Sequence, residues 1–496
     1  MQSLNDWTDV QCPLWVKSRH AAKSDVRFTP NGDRESGLAA KLMSALAPKA
    51  DMCGATAHVR YGDIVPGVSQ YEGGTSTNRQ TFPRQRCPEW KEMLKAFKIA
   101  VPDAVLNDLD IRLASTRPLP DEARDWKSGT SPAYLADLIE YWRKFYDWRK
   151  QEARLNRFSQ FGTTIDGTRL HFIHEKGRGA SPIPIILTHG YPDSFFRFYK
   201  LIPLLTDPVT HGGDNADSFD VVVPSLPGFG FSQPRQESGG VFGFGDLWHK
   251  LMTNTLGYTK FGAHGGDWGS TVTEHLARSH ASSLIGIHLT DVPFWHIFQK
   301  PSDLSPAEQK FFKENQRWQK EDGAYAMIQG TRPRTAAIGL NDSPTGLASW
   351  IVEKFQEWSD CGDDIESRFT KDELLTNIMI YWVTGTIGSS FQPYHDFMNA
   401  GGMRWTMETI KHWIGSSKTP AAFACFPKDI SNPPREWAAR FFNVQRWTEM
   451  PSGGHFAALE EPQRLAEDIR AFFRPFRSIE TASDQQSRRA LSKNPV

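Results

Sequence analysis

Lys260-Phe261-Gly262-Ala263-His264-Gly265-Gly266-Asp267-Trp268-Gly269-Ser270 decides how this chain folds. Its first residues read as a short apolar strand, and Thr271 to Ser279 reads as a helix. Between them is a G-x-D-x-G turn with a carboxylate at its apex. A strand that turns straight into a helix leaves no room for a side chain at Gly265 or Gly269. The helix that starts just after Asp267 points its positive end at the carboxylate.

Further short apolar runs flank this turn. They are Ile183 to Leu187, Phe219 to Val223, Leu284 to Leu289, Ala421 to Phe426 and Phe442 to Met450. Runs of this kind alternating with helices predict an α/β fold with a mostly parallel sheet covered on both faces. Residues 292–420 lack strand patterning and are rich in Trp, Phe and Tyr. They fall between two strands, which predicts a helical lid inserted late in the sheet, over the carboxyl ends where ligands bind. Upstream, Ser131-Pro132 reads as an N-cap and first helical residue. Leu135, Leu138, Ile139 and Trp142 then predict one long amphipathic helix reaching Arg154. Thr163 to Phe172 reads as a hairpin turning at Asp166-Gly167.

The chain has 496 residues, with 57 Lys plus Arg against 57 Asp plus Glu. That balance gives no electrostatic reason to expect a nucleic-acid or anionic-membrane partner. No apolar run approaches the roughly 20 residues that span a bilayer. Cys12, Cys53, Cys87, Cys361 and Cys425 are scattered and odd in number, which argues against a disulfide framework or zinc site and for a reducing cytoplasm. Residues 1–92 are polar, rich in glycine and without apolar periodicity, so they are expected to be disordered or a spurious extension. The stretch Ala21 to Tyr61 is similar to translated intergenic repeats, which would put the true start at Met93. The remaining expected boundaries are 93–176 (N-terminal helical segment), 177–291 and 421–477 (two parts of the core), 292–420 (lid) and 478–496 (a frayed polar tail).

The apex residue fixes the chemistry. The turn has the form of a nucleophile elbow with Asp where Ser is usual. A carboxylate with an ordinary pKa near 4 is already ionised at neutral pH. Asp267 can therefore attack an electrophilic sp³ carbon directly and form an ester. Gly453-Gly454-His455-Phe456 follows the last strand, and His455 is the candidate base for activating water. Asp429, just past Ala421 to Cys425, is preferred over Asp291 as the acid that orients the imidazole. The order nucleophile, acid, histidine suits this elbow. The backbone N–H groups of Tyr191 and Trp268 are candidates for an oxyanion hole. His189 reads as a structural side chain.

Taken together, the pieces resemble the epoxide hydrolases of the α/β-hydrolase fold, in the microsomal-type branch and its soluble microbial relatives. The matching motifs are His189-Gly190-Tyr191-Pro192 with Ser194 to Tyr199, Val223 to Ser232, the Gly-Gly-Asp-Trp-Gly elbow, and Gly454 to Glu460. Lys95 to Lys176 also looks like the N-terminal segment of that branch. The resemblance implies hydrolysis of a small apolar epoxide to a diol, with water as co-substrate, no metal or organic cofactor, and compatibility with a homodimer. It also implies that two lid tyrosines hold the epoxide oxygen, at the positions of Tyr325 and Tyr394, with Tyr381 a rival for the second. Tyr191-Pro192-Asp193 departs from the usual Trp-Pro-Gly, so the loop there is expected to differ. A haloalkane dehalogenase with the same Asp nucleophile and a non-catalytic binding protein stay open as alternatives.

Overall fold

The computed structural model describes residues 94–491 apart from 121–122, 236–239, 242, 300 and 400–416. The expectations for residues 1–92 lie outside the described residues. Three strands lead the sheet: β1 (Lys95–Ala96), β2 (Gln160–Ile165) and β3 (Thr168–Glu175). The β2–β3 hairpin turns at Asp166 and Gly167, whose φ values are 49° and 75°. Two successive left-handed residues are what a two-residue hairpin with right-twisted strands requires.

Six parallel strands follow: β4 (Ile183–Thr188), β5 (Phe219–Pro224), β6 (Phe261–Gly265), β7 (Leu284–Leu289), β8 (Pro420–Cys425) and β9 (Asn443–Glu449). The spatial order is β1-β2-β3-β5-β4-β6-β7-β8-β9, antiparallel as far as β5 and parallel beyond. Every residue of β5 and β6 is buried, as a strand covered on both faces demands. β6 lies between β4 and β7, and Gly265 pairs with Thr188 and Leu289. The loops after β4, β6 and β7 therefore open side by side, with those after β8 and β9 next in line.

The N-terminal helices are α1 (Asp103–Ala114), α2 (Pro132–Lys144) and α3 (Trp148–Leu155). Ser131 caps α2 as expected, its hydroxyl accepting from the Tyr134 N–H. The predicted single helix to Arg154 is instead two. Asp147 ends the first path by accepting from the Lys150 N–H and capping α3. A short polar side chain that bonds its own backbone competes with helix continuation, and here it wins. The segment braces the lid: Thr130 Oγ1 donates to Ser349 O at 2.7 Å, and Tyr141 donates to Asp372 Oδ1 at 3.0 Å.

Within the core lie α4 (Leu201–Thr206), α5 (Gly243–Lys250) and α6 (Trp268–Ser279). The described part of the insertion is helical: α7 (Pro306–Glu321), α8 (Ala324–Thr331), α9 (Pro333–Asp342), α10 (Pro344–Glu357), α11 (Lys371–Thr384), α12 (Ile387–Ser390) and α13 (Gln392–Met398). Capping boxes at Ser305/Glu308 and Thr370/Glu373 start α7 and α11. The last helix runs Pro462–Leu491, through much of the stretch expected to be frayed. Among the described residues, no helix is long and apolar enough to cross a membrane.

Candidate active site

The elbow is where the sequence placed it. Asp267 has φ 58° and ψ −129°, a conformation that costs a non-glycine residue about 1–3 kcal/mol. Hydrogen bonds hold it there. Gly269 N–H donates to Gly266 O at 2.9 Å, and Ser270 N–H donates to Asp267 O at 3.0 Å. A Cβ at Gly265 would run into the Gly269 carbonyl, and one at Gly269 into the Thr188 carbonyl.

The two oxygens of Asp267 have different surroundings. Oδ1 accepts from the backbone N–H groups of Tyr191 and Trp268, at 2.9 and 2.7 Å. Oδ2 faces His455 Nε2 at 3.6 Å. One oxygen is committed to amide donors, and the other is presented toward the imidazole. Close approach of the β4 loop requires glycine before Tyr191, because a Cβ at Gly190 would overlap the Asp267 side chain.

His455 is buried, and its Nδ1 bonds Asp429 Oδ1 at 2.7 Å. Burial alone would disfavour the imidazolium. The Asp429 and Asp267 carboxylates together outweigh burial, and the pKa is pushed up to about 10. The Asp429 and His455 loops are stitched together by a bridge between Lys428 and Gly454. Asp291, the rival acid, does not bond the imidazole. It accepts from Ser270 Oγ and from the Asp267 N–H at 3.2 Å. Burial and then the Asp429 charge push its pKa up to about 7.

The lid brings both predicted tyrosines over the elbow. Tyr325 in α8 and Tyr394 in α13 are buried, with ring centroids 5.9 Å apart at 75°. Tyr394 meets the Trp268 ring edge-on at 4.9 Å, and Tyr191 lies parallel to Tyr325 at 6.2 Å. Burial raises both phenol pKa values, and the Asp267 charge adds to each. Tyr381 points elsewhere, donating to the Asp193 carbonyl at 2.7 Å. His189 has a structural place. Its Nε2 accepts from the Leu226 N–H at 3.1 Å, so the ring proton sits on Nδ1, beside Gly190 O at 2.9 Å.

Three supporting residues escaped the sequence reading. Asp193, the departure noted above, pairs with Arg197, and their side chains are 1% and 2% exposed. Asp193 Oδ1 accepts from the Gly190 N–H at 3.0 Å, while Arg197 Nη2 donates to His455 O at 2.5 Å. The ion pair thereby ties the loop bearing Tyr191 to the loop bearing His455. Burial would raise the Asp193 pKa, but the Arg197 guanidinium and then His189 hold it well below the usual carboxylate range. Glu460 accepts from the N–H groups of Gly454 and Phe456, one on each side of His455, at 3.0 and 2.9 Å. The signal for Asp193 and Arg197 was their four-residue spacing, which normally marks an exposed helix pair. Among the described residues, no group with metal-ligand spacing converges on this site.

A parallel sheet with an acidic elbow, a histidine and its carboxylate on later loops, and a helical cap define an α/β hydrolase with Asp at the elbow position. Residues 94–198 match the family model for the epoxide hydrolase N terminus, and residues 183–350 match that for the alpha/beta hydrolase fold. A Stigmatella aurantiaca (strain DW4/3-1) protein named "Putative epoxide hydrolase" is 43% identical over 385 residues, covering 77% of this chain and 85% of the relative. Epoxide hydrolase 1 of Sus scrofa is 37% identical, with 77% and 88% covered. The crystal structure of juvenile hormone epoxide hydrolase from the silkworm Bombyx mori matches with a TM-score of 0.70 and 27% identity, covering 79% of this chain and 98% of that one. The chain belongs to the epoxide hydrolases of the α/β-hydrolase fold, and it is an enzyme that hydrolyses epoxides.

Proposed function

We propose that Asp267 Oδ2 is the atom that opens the epoxide, and that the reaction runs through an ester on this side chain. As the Oδ2–carbon bond forms, the ring carbon–oxygen bond breaks. The departing oxygen takes a proton from Tyr325 or Tyr394, whose raised pKa values keep them protonated donors at neutral pH. The His455 imidazolium gives its Nε2 proton to the phenolate; water then gives a proton to the freed Nε2 and its oxygen adds to the ester carbonyl. The developing negative charge falls on Oδ1, already facing the Tyr191 and Trp268 N–H groups. Collapse expels the alkoxide of the former Oδ2, which takes the remaining water proton to leave as the diol, and regenerates the Asp267 carboxylate beside the His455 imidazolium. Electrostatics couples the two halves. Esterification removes the Asp267 charge that helps hold His455 as imidazolium, which frees Nε2 to act as a base.

The unequal surroundings of the two Asp267 oxygens carry this reading. Aromatic rings of Tyr191, Trp268, Tyr325, Trp358 and Tyr394 around the elbow suit a small apolar epoxide. Cys361 and Cys425 are unbridged, in keeping with a reducing cytoplasmic setting. The test is to incubate the His455→Gln variant with styrene oxide and digest it. The expected outcome is a stable hydroxyalkyl ester on the Asp267 peptide by mass spectrometry, absent from Asp267→Asn. An unmodified Asp267 peptide in a variant that binds the epoxide would overturn the ester route. Bromide release from a bromoalkane without diol from styrene oxide would favour the dehalogenase instead.

A further inference from the structure

The far end of α6 carries a second cluster of ionisable side chains. His275 lies near the end of the helix and His280 is its C-cap residue. Both rings turn Nε2 onto one oxygen of Asp246 in α5, at 2.9 Å from His275 and 2.8 Å from His280. The three donor atoms lie within 4.8 Å of one another. His249, one turn along α5 from Asp246, stacks on His280 with ring centroids 4.0 Å apart at 9°.

We propose that Asp246, His275 and His280 bind one divalent transition cation of the zinc type, fastening α5 to the C-terminal end of α6. Two imidazoles and one carboxylate match the donor preference of zinc, whereas magnesium and calcium take oxygen ligands. Metal–ligand bonds of about 2.0–2.2 Å set tetrahedral donor atoms roughly 3.3 Å apart. The Asp–His separations are about half an ångström short of that. The Asp246 side chain is 44% exposed, against 9% for His275, so the carboxylate can step back while the buried ring stays. An ion then sits at bonding distance from His275 Nε2, the more exposed His280 ring draws in to it, each ring proton moves to Nδ1, and water completes the coordination. The position adds a separate preference for a cation, because the carbonyl end of α6 is negative. The site is also independent of the elbow. Eight residues of helix at about 1.5 Å each put His275 roughly 12 Å from Asp267.

The experiment uses the untagged full chain, stripped with chelator and titrated with Zn²⁺ by calorimetry, with Mg²⁺ as control. One Zn²⁺ per chain is expected, with a micromolar or tighter Kd and a Tm rise of about 2–5 °C at saturation. Asp246→Asn and His280→Gln should each weaken binding at least tenfold and leave diol formation unchanged. Unchanged zinc affinity in both variants, or zinc binding no tighter than magnesium in the parent chain, would overturn the proposal. Co²⁺ loading of the parent chain gives a second readout should either variant fold poorly. Ring signals of His275 and His280 should broaden in NMR spectra, and broadening centred on His455 instead would count against the site.

Discussion

The floor and the roof of the active site are built differently. The floor consists of Asp267, Asp429 and His455 on loops at neighbouring strand ends, fixed by backbone N–H groups, glycine contacts and a buried ion pair. The roof consists of Tyr325 and Tyr394 on separate lid helices, placed by ring packing against Tyr191, Trp268 and each other. Directional bonds specify atoms, whereas apolar packing specifies volumes. In the proposed reaction, ester formation and breakdown belong to the floor, and support of the leaving oxygen belongs to the roof.

The largest effect that separates the two comes from removing both phenols. Tyr325→Phe with Tyr394→Phe should slow ester formation by about 10²–10⁴-fold, with each single change costing roughly tenfold where the other phenol takes over. Ester breakdown, measured in single-turnover experiments, should be nearly unaffected. Equal slowing of both steps would erase the division between roof and floor.

Next in size is the ion pair beneath the floor. Arg197→Leu leaves the Asp193 charge buried without its partner, which should cost about 3–5 kcal/mol in chemical denaturation. Asp193→Gly combined with Arg197→Leu should restore at least half of the loss. A single-variant loss below about 1 kcal/mol would mean that the pair is dispensable.

The smallest effect is on protonation. The Asp267 charge helps to raise the His455 pKa, so Asp267→Asn should move it down from about 10 toward the ordinary histidine value. The imidazolium would then be lost at lower pH than in the parent chain, by NMR titration of the ring. An unmoved titration would sever the proposed coupling between ester formation and base activation.

Legibility in the sequence follows the same division. The elbow was readable because its strand, glycines and helix lie within eleven consecutive residues, and because the glycine positions are steric necessities. His455 and Asp429 were readable as loop residues just past strands. Asp429 was preferred over Asp291 for its place just past the β8 run, and the hydrogen bonds leave Asp291 to Ser270 and the Asp267 amide. Tyr325 and Tyr394 came from family resemblance alone, since no local spacing rule links residues on separate helices. Asp193 and Arg197 could not be told from a surface pair until their burial was known. The break between α2 and α3 was missed because the apolar spacing through Trp142 outweighed the capping potential of Asp147.

Oxygen tracing tests the central claim most directly. In a single turnover in H₂¹⁸O with enzyme in excess over styrene oxide, the diol should contain no solvent oxygen, and the Asp267 peptide should gain one ¹⁸O. Heavy oxygen in the first-turnover diol, with Asp267 unlabelled, would mean that water attacks the epoxide directly and that the carboxylate never bonds to carbon.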